Sequence, residues 1–576
     1  MNAPTPSIVS RSAASRLPRW VLWVFVLAYV LPGFWGREPW KDHDAVAFGV
    51  MRDMAMGLTS WWEPLLLGLP VEHTGWLHHW LGAVFIALWP EQAQWMARIP
   101  FVGLLLLTLL GTWWSVYHLA RLPAAQPVSF AFGGEADPHD YARTLADAGL
   151  LALLACLGLA QLAHETSADA ARLAMVAVML MTASALTRPV ITSPVRTPVL
   201  WALGLLGLVL SGAPWMALVL SVGLLGAAAW ARPLATQTAW GPNTTPNQRP
   251  WRWAIAMSVL VLAFAAAGGL FRWPAWSPLN SHESVMAYAR LWLWFGWPAW
   301  PLALWALWRW RQQWLSGHVL QPLMVIVVMM VAGTWSAQRD RALLLALPAL
   351  ATLAAFALPT LRRSLSALID WFTLLFFSGC GLILWVVWLA MQTGIPAKTA
   401  NNVARLAPGF DAPFSWVLLI PAVLATGAWL AVVVWRVGRH TSVLWKSMVL
   451  PAAGATMSWL LLMTLWLPLV NHGMSHGPQS REVWAAITAP ERCVLVDGLP
   501  PAQIQALRTH TSLMLRRNEG KGVPTDCAAL LTSPLGHSTL HQRMDLSQWT
   551  YQATIKRLGR TRDDILIYSR NAGASR

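Results

Sequence analysis

Residues 36–98 gather carboxylates, imidazoles and basic groups of the types used in acid–base and metal chemistry. Tryptophans are interleaved with them, and their rings can line a cleft for an amphiphilic molecule at a membrane surface. A solvated loop also carries charges, so a purely structural role for this stretch stays an alternative. The ionisable residues are Arg37, Glu38, Lys41, Asp42, His43, Asp44, Arg52, Asp53, Glu63, Glu72, His73, His78 and His79. The tryptophans are Trp40, Trp61, Trp62, Trp76 and Trp80, preceded by Trp35.

The elements that must position these groups are apolar. Of the 576 residues, 56% are hydrophobic and only 11% are charged, whereas a soluble domain carries about 25% charged residues. Apolar stretches of about 17 to 25 residues, long enough to cross a bilayer, recur from residue 19 to about residue 470. We predict an α-helical polytopic membrane protein with about thirteen transmembrane helices. The composition excludes a soluble globular protein, a disulfide-dense secreted domain and a disordered chain.

The distribution of charge predicts the orientation. The formal net charge is +16, and the basic residues lie mostly in short loops between apolar stretches, where Lys and Arg mark the cytoplasmic side. This placement argues against a nucleic-acid partner. Arginines precede the first apolar run, which lacks a small-residue cleavage site and is therefore interpreted as an uncleaved anchor. With an odd number of spans, the N-terminus is predicted to be cytoplasmic and the C-terminus periplasmic.

The chain divides into two predicted domains, a transmembrane domain over residues 1–470 and a soluble α/β domain over residues 471–576. Within the first domain, loop 36–97 is predicted to carry helices that lie along the membrane interface. The soluble domain is predicted to contain strands at 493–496, 528–531 and 565–568 and a helix at 501–508. Cys493 and Cys527 can form a disulfide there if the compartment is oxidising; two unpaired buried thiols are the alternative.

Four short motifs resemble one family. Gly36–Ala45 followed by Phe48–Gly49 resembles the start of the first periplasmic loop in GT-C glycosyltransferases of family 39. This family includes the lipid A aminoarabinose transferases and the protein O-mannosyltransferases. Leu67–Gly75, Ala97–Pro100 and Arg339–Arg341 resemble three later motifs of the same family. The architecture, with many spans and a soluble domain outside, agrees with the resemblance.

Several positions depart from the family pattern. An ungapped alignment from Trp40 puts the family's Asp on His43 and its Glu on Asp44, while a shift of one residue puts Asp42 on the Asp position. His73 stands where relatives have a Lys thought to hold a lipid phosphate. Thr74 and Gly75 replace two prolines.

The resemblance implies transfer of a sugar from a polyprenyl-phosphate donor to a lipid, glycan or protein acceptor at the periplasmic face of a bacterial inner membrane. Such a reaction needs a carboxylate for the acceptor hydroxyl and cations for the phosphate leaving group. Asp44 is the first candidate for the carboxylate, with Asp42 as its competitor and His43 at the aligned position. His73, Arg339 and Arg341 are the candidates for binding the lipid phosphate.

The resemblance also implies a divalent metal ion. Glu72 matches a metal-binding Glu of the aminoarabinose transferases, and His282 lies in a later outer loop that supplies a His in those enzymes. A carboxylate with an imidazole suits zinc. A solvated loop histidine is the alternative for His282.

Two other functions stay open. A lipid or solute translocator requires polar groups inside the membrane, and Asp370, near the inner end of a predicted span, is its main candidate. A relative that binds polyprenyl phosphate without catalysis would explain the departures at His43, His73, Thr74 and Gly75.

Overall fold

The structure, a computed structural model, describes residues 5–70, 75–188, 193–239, 248–271, 277–279, 281–438, 443–487, 493–518, 527–558 and 561–571. Up to residue 474, the secondary structure of the described residues consists of helices and one short hairpin, β1 (Leu65–Leu66) with β2 (Leu69–Pro70). Its helices are α1 (Arg19–Val30), α2 (Asp42–Ala55), α3 (Leu77–Leu88), α4 (Ala93–Met96), α5 (Ile99–Ala120), α6 (Pro138–Ala155), α7 (Leu159–Leu162), α8 (Ala168–Thr187), α9 (Arg196–Leu210), α10 (Pro214–Ala239), α11 (Arg249–Ala267), α12 (His282–Phe295), α13 (Ala299–Arg309), α14 (Gly317–Trp335), α15 (Arg339–Leu344), α16 (Leu347–Ala357), α17 (Arg363–Thr393), α18 (Ala397–Leu406), α19 (Trp416–Val437), α20 (Lys446–Leu462) and α21 (Leu467–Met474).

Within the described residues, seven helices are long and apolar enough to cross a membrane, and α20 with α21 forms an eighth span if the pair, bent by 68°, is counted as one. The seven are Pro90–Ala120, Ala168–Thr187, Pro214–Arg232, Arg249–Ala267, Gly317–Trp335, Arg363–Thr393 and Trp416–Arg436. The protein is therefore a polytopic membrane protein. Other predicted spans coincide with shorter or interrupted helices: the apolar run 292–308 is broken between α12 and α13. The number thirteen stays a prediction.

Small residues bring the central helices together. A Cβ added to Gly111 of α5 would lie 3.1 Å from the Cβ of Ala177 on α8, which shows how closely the two backbones approach. Close approach through small residues is the usual way in which helices pack inside a bilayer, where burial from water contributes little. Residues of α6, α8 and α16 are almost entirely buried, so these helices form the centre of the membrane domain.

The loop after α1 contains two helices, as predicted. α2 covers the periodic apolar stretch, and α3 covers the short apolar run that ends at Trp89. α3 lies directly against α2, because a Cβ on Gly82 would come within 2.2 Å of Met51 Sδ. The alignment of these helices along a membrane surface stays a prediction.

The C-terminal part is a small α/β domain. It contains α22 (Gly477–Ala486), β3 (Val494–Asp497), α23 (Pro501–His510), β4 (Leu515–Arg517), β5 (Ala529–Thr532), α24 (Pro534–Arg543), β6 (Trp549–Ile555) and β7 (Ile565–Arg570). The sheet order is β4-β3-β5-β7-β6; β3 is parallel to β4 and β5, whereas β7 is antiparallel to β5 and β6. β3, β5, β7 and α23 match the three predicted strands and the predicted helix to within two residues, whereas α22, β4, β6 and α24 were not predicted.

A disulfide joins Cys493 to Cys527, with 4.5 Å between the two Cα atoms. The two cysteines directly precede the neighbouring parallel strands β3 and β5. The bond therefore connects the starts of two neighbouring strands of the sheet. The alternative of two unpaired thiols is wrong. Cys156 and Cys380 are free.

Asp370 of α17 forms an ion pair with Arg436 of α19. The predicted intramembrane carboxylate is thus already neutralised by a neighbouring helix. This contact gives Asp370 a structural role in joining α17 to α19, and the translocator stays an alternative.

Candidate functional site

The first turn of α2 presents Asp42 and Asp44 to different surroundings. Residues two apart on a helix point about 200° away from each other. The side chain of Asp42 is accordingly 54% exposed, whereas that of Asp44 is 3% exposed. Asp44 is therefore directed into the membrane domain, and Asp42 lies at its edge.

Asp44 is held by the connection between α7 and α8. Its Oδ1 atom accepts hydrogen bonds from the Thr166 backbone N at 2.8 Å and from Thr166 Oγ1 at 2.5 Å. Its Oδ2 atom lies 3.8 Å from Arg37 Nη2. Thr166 thus holds one oxygen of the carboxylate in place, and the other oxygen faces the guanidinium of Arg37.

A second carboxylate lies beside Asp44. The side chain of Glu165 is fully buried, and its Oε1 atom is 4.0 Å from Arg37 Nη2. Arg37 Nη2 thus approaches both carboxylates, yet in the described part of the chain neither Arg37 Nη2 nor Glu165 Oε1 has a hydrogen-bond partner. Buried polar atoms are rarely left without a partner. This gap between Arg37, Asp44 and Glu165 is chemically suited to a polar ligand or water.

Arg341 closes the other side of the site. Its Nη2 atom donates to Glu165 Oε2 at 2.7 Å, and its Nη1 atom donates to Asp169 Oδ2 at 2.8 Å. Asp169 also accepts from Arg172 Nη1 at 2.8 Å. Two cations therefore share one carboxylate at the start of α8, and the result is a continuous buried charge network from Arg37 to Arg172.

Burial and charge set the pKa values in this network. Burial raises the pKa of Glu165, and the nearby Asp44 adds to the increase, although Arg341 opposes it. Burial lowers the pKa of Arg341, but the attraction of Glu165 and Asp169 outweighs this and raises it overall. Arg341 thus stays charged at any physiological pH, and Glu165 is protonated more readily than an ordinary glutamate because its pKa is raised.

The remaining predicted catalytic residues lie at the edge of this network. Asp42 Oδ1 is 3.4 Å from Nε2 of His476, which belongs to the link to the soluble domain. His43 Nε2 contacts the amide of Gln338. The two side chains are therefore in contact with the edges of the site, whereas only Asp44 reaches its centre.

The predicted phosphate-binding residues are placed differently from one another. Arg341 is buried, and its guanidinium donates hydrogen bonds to the carboxylates of Glu165 and Asp169. Arg339 is half-buried; its Nη2 atom donates to the Ser277 carbonyl at 3.3 Å, and its Nε atom has no hydrogen-bond partner in the described ranges. His73 lies outside the described residues. Lys41 lies nearby and pairs with Asp340 at 3.3 Å.

The predicted metal site stays a prediction, because the described residues include only one of its two members. Glu72 lies outside the described residues, and His282 is an exposed side chain at the first position of α12. No group of three His, Cys, Asp or Glu side chains that could hold a metal occurs in the described part. A catalytic zinc ion needs three protein ligands, and His282 is the one predicted ligand that the structure describes.

Sequence reasoning noted Arg37 only as one of the charges of the first loop, and it did not identify Glu165, Thr166, Asp169 or Arg172. Glu165 and Thr166 belong to a polar segment, His164–Asp169, between two predicted spans. That segment leaves the membrane on the same predicted side as the first loop, and two carboxylates in so short a connection are an available signal.

No protein-family model matches the chain, and no curated protein matches it in sequence. In structure, it is similar to ArnT from Cupriavidus metallidurans in the apo state, with a TM-score of 0.58 and 15% identity over 96% of this chain and 98% of that chain. The similarity to ArnT bound to undecaprenyl phosphate gives a TM-score of 0.60 and 14% identity over the same shares of the two chains.

An oligosaccharyltransferase from Archaeoglobus fulgidus is also similar, with a TM-score of 0.44 and 11% identity over 89% of this chain and 69% of that chain. The likeness to ArnT extends over nearly the whole of both chains and thus includes the membrane domain and the soluble domain. The protein therefore has the GT-C fold of ArnT, a lipid A aminoarabinose transferase.

Proposed function

We propose that the protein is a membrane glycosyltransferase that moves a sugar from a polyprenyl-phosphate donor to an acceptor hydroxyl at the periplasmic face of a bacterial inner membrane. The observation that carries this proposal is the state of Asp44. It is a buried carboxylate with one oxygen fixed by Thr166 and the other directed towards a guanidinium. The ArnT fold and the undecaprenyl phosphate bound to that protein support a lipid-linked donor.

Asp44 Oδ2 accepts the proton of the acceptor hydroxyl in the proposed reaction. The hydroxyl oxygen then attacks the anomeric carbon, and the bond from that carbon to the phosphate oxygen breaks. The electron pair leaves with the polyprenyl phosphate, so inversion is expected at the anomeric carbon. Positioning of the carboxylate by Thr166 contributes because a general base must be within hydrogen-bond reach of the proton it takes.

The cation for the leaving phosphate is assigned to Arg339. It is half-buried, and its Nε atom has no partner within the described ranges, so its guanidinium can bind an anion. Arg341 is assigned a different role, because both of its terminal nitrogens bind carboxylates. It holds Glu165 next to Asp44. The described residues do not supply a metal centre, and no step of this proposal uses one.

The location of the reaction follows from the predicted orientation. With the N-terminus in the cytoplasm, loop 36–97 and the soluble domain face the periplasm. Nucleotide sugars are absent there, so the donor must be delivered by a lipid.

A turnover assay with two matched variants tests the proposal. Purified full-length protein in lipid nanodiscs receives labelled polyprenyl-phosphate sugars, hexose and aminopentose, and donor consumption and donor binding are measured separately. Loss of a general base lowers turnover by about 10²–10⁴-fold, so we expect this loss for Asp44→Asn. Asp42→Asn is the control two residues away, and it should keep turnover within about threefold, since loss of an exposed charge changes little.

The outcomes separate the candidate functions. Turnover that survives Asp44→Asn contradicts the assignment of the base. Donor binding by the wild type with no turnover for any donor supports the non-catalytic relative, which the departures from the family motif favour. Absence of donor binding removes both functions that use a polyprenyl-phosphate donor.

A further inference from the structure

A second polar site lies at the opposite end of the membrane domain from Asp44. α8 begins beside the buried charge network and runs for 20 residues to Thr187, which corresponds to about 30 Å at 1.5 Å per residue. At that far end, a cavity of about 180 Å³ lies between α5, α8 and α9. The cavity is therefore separate from the proposed catalytic site.

Basic and hydroxyl side chains line this cavity. The described lining contains no carboxylate. Arg188 Nη1 donates to His118 Nδ1 at 3.3 Å, and Arg196, the first residue of α9, also lines the cavity. The full lining is Trp114, His118, Met181, Thr182, Ala185, Arg188, Ser193, Arg196, Thr197 and Leu200.

Among the residues that the structure describes, no carboxylate pairs with either guanidinium. Burial lowers the pKa of Arg188, and the nearby Arg121 lowers it further. Arg196 makes no hydrogen bond or ion pair with any residue that the structure describes. Arg188 is partly buried, and a partly buried cation without a counter-ion is unfavourable. Arg196 is exposed, so its guanidinium is free to join Arg188 in binding an anion in the cavity.

Apolar side chains next to the cavity are exposed. Trp114, which lines the cavity, is 41% exposed. Val199 and Leu203, which stand on α9 on either side of the lining residue Leu200, are 51% and 55% exposed. In a membrane-spanning protein such side chains face lipid, and tryptophans concentrate at the level of the headgroups. The Trp114 ring also stacks on His118, with 5.5 Å between ring centroids. The cavity thus has a basic interior next to a lipid-facing apolar border.

We propose that this cavity binds the phosphate headgroup of an anionic membrane lipid, with Arg188 and Arg196 as its ligands. The guanidinium geometry suits bidentate contacts to phosphate oxygens. The hydroxyls of Thr197 and Ser193 lie within the same lining, and the acyl chains would follow Trp114 and the exposed face of α9. The site is independent of the proposed glycosyl transfer, since it lies at the other end of α8.

Lipid retention by the purified full-length protein tests this inference. Native mass spectrometry would compare phosphatidylglycerol with phosphatidylcholine as added lipids, in the presence and absence of inorganic phosphate. Loss of one charge-assisted hydrogen bond weakens binding by about tenfold or more, so Arg188→Gln and Arg196→Gln should each lose phosphatidylglycerol to this extent. Arg363→Gln is the control, because Arg363 is an exposed arginine at the same end of the membrane domain.

A rescue variant and a competition experiment complete the test. Arg188→Lys keeps the positive charge and should retain more phosphatidylglycerol than Arg188→Gln, which a general folding defect would not produce. Equal retention by the wild type and both Gln variants overturns the proposal. Displacement of the lipid by millimolar inorganic phosphate also overturns it, because the site would then recognise a free anion.

Discussion

Arg341 Nη2 lies 2.7 Å from Glu165 Oε2, and both side chains are almost completely shielded from solvent. The same guanidinium binds Asp169. Removing it would leave Glu165 buried without a hydrogen-bonded cation, which costs about 3–5 kcal/mol, while Asp169 would keep its ion pair with Arg172. We therefore expect Arg341→Met to lower the free energy of unfolding by this amount, measured by thermal unfolding in detergent.

Arg339→Met is the matched control for that change. Arg339 is half-buried and forms only one hydrogen bond with the described residues, to a backbone carbonyl, so its removal should cost less than about 1 kcal/mol. Equal stability of the two variants would contradict the structural role of Arg341.

Thr166 orients Asp44 without touching the reacting atoms. Its hydroxyl donates to Asp44 Oδ1 at 2.5 Å, and Thr166→Val removes this hydrogen bond at nearly constant volume. We expect kcat to fall by about tenfold, the effect of one lost hydrogen bond of about 1.4 kcal/mol, with KM nearly unchanged. Thr166→Ser keeps the hydroxyl and should restore kcat; a Ser variant as slow as the Val variant would refute this positioning role.

His164 makes stability sensitive to acid. Burial, and then the neighbouring Arg37, lower its pKa to about 3, against the opposing hydrogen bonds of backbone carbonyls. The unfolded chain takes up this proton near pH 6.5, so between pH 6.5 and about 3 the unfolded state binds more protons. Stability should therefore fall as the pH is lowered through this window, by up to about 1.4 kcal/mol per pH unit.

Thermal unfolding of the wild type and of His164→Gln between pH 7 and pH 5 measures this contribution as the difference between their two pH dependences. The variant should lose part of the acid sensitivity. His282→Gln, which changes an exposed histidine, should leave the pH dependence as it is in the wild type. Parallel pH profiles for the wild type and His164→Gln would show that His164 does not titrate as expected.

Arg508 couples the soluble domain to the helix that carries Asp44. Its Nη1 atom donates to Asp53 Oδ2 at 2.6 Å, and the side chain of Asp53 is 4% exposed. Because Arg508→Met would leave this carboxylate buried and unpaired, we expect a loss of about 3 kcal/mol and faster limited proteolysis between α21 and β3. Arg516→Met, at an exposed arginine of β4, is the control, and equal proteolysis of both variants would refute the coupling.

The disulfide Cys493–Cys527 closes a loop with a sequence separation of 34. Cross-linking such a loop contributes about 4 kcal/mol in the chain-entropy model. The double variant Cys493→Ser with Cys527→Ser should therefore show faster hydrogen exchange in β3 and β5. Cys380→Ser removes a free thiol and serves as the control. Labelling of both Cys493 and Cys527 by a maleimide in unreduced protein would contradict the bond.

Much of the architecture follows from local patterns. Long apolar runs must form helices in a bilayer, because every backbone polar group has to be satisfied within the chain. The strand segments near 494, 529 and 565 were visible as short apolar runs between polar residues. The strand β4, Leu515–Arg517, carries two arginines in three residues, and its pairing with β3 depends on partners that are distant in sequence.

The candidate site, too, was predictable from the sequence only in part. Asp44 was singled out because the motif around it resembles the one in which an acidic pair opens an interfacial helix in the GT-C family. Which of Asp42 and Asp44 is buried depends on the direction of each side chain on α2, and local spacing does not give that direction without knowledge of where the core lies. Arg341 was singled out as a phosphate ligand, but the fold brings Glu165 and Asp169 to it from a different part of the chain.

The sequence by itself determined that the protein resides in a membrane, that it is mainly helical and that it has two parts. These properties depend on composition and periodicity summed over many residues. Only the tertiary structure decided which charges meet. Ion pairing depends on a few ångströms between residues more than 100 positions apart, and hydrophobic patterns carry no information on that distance.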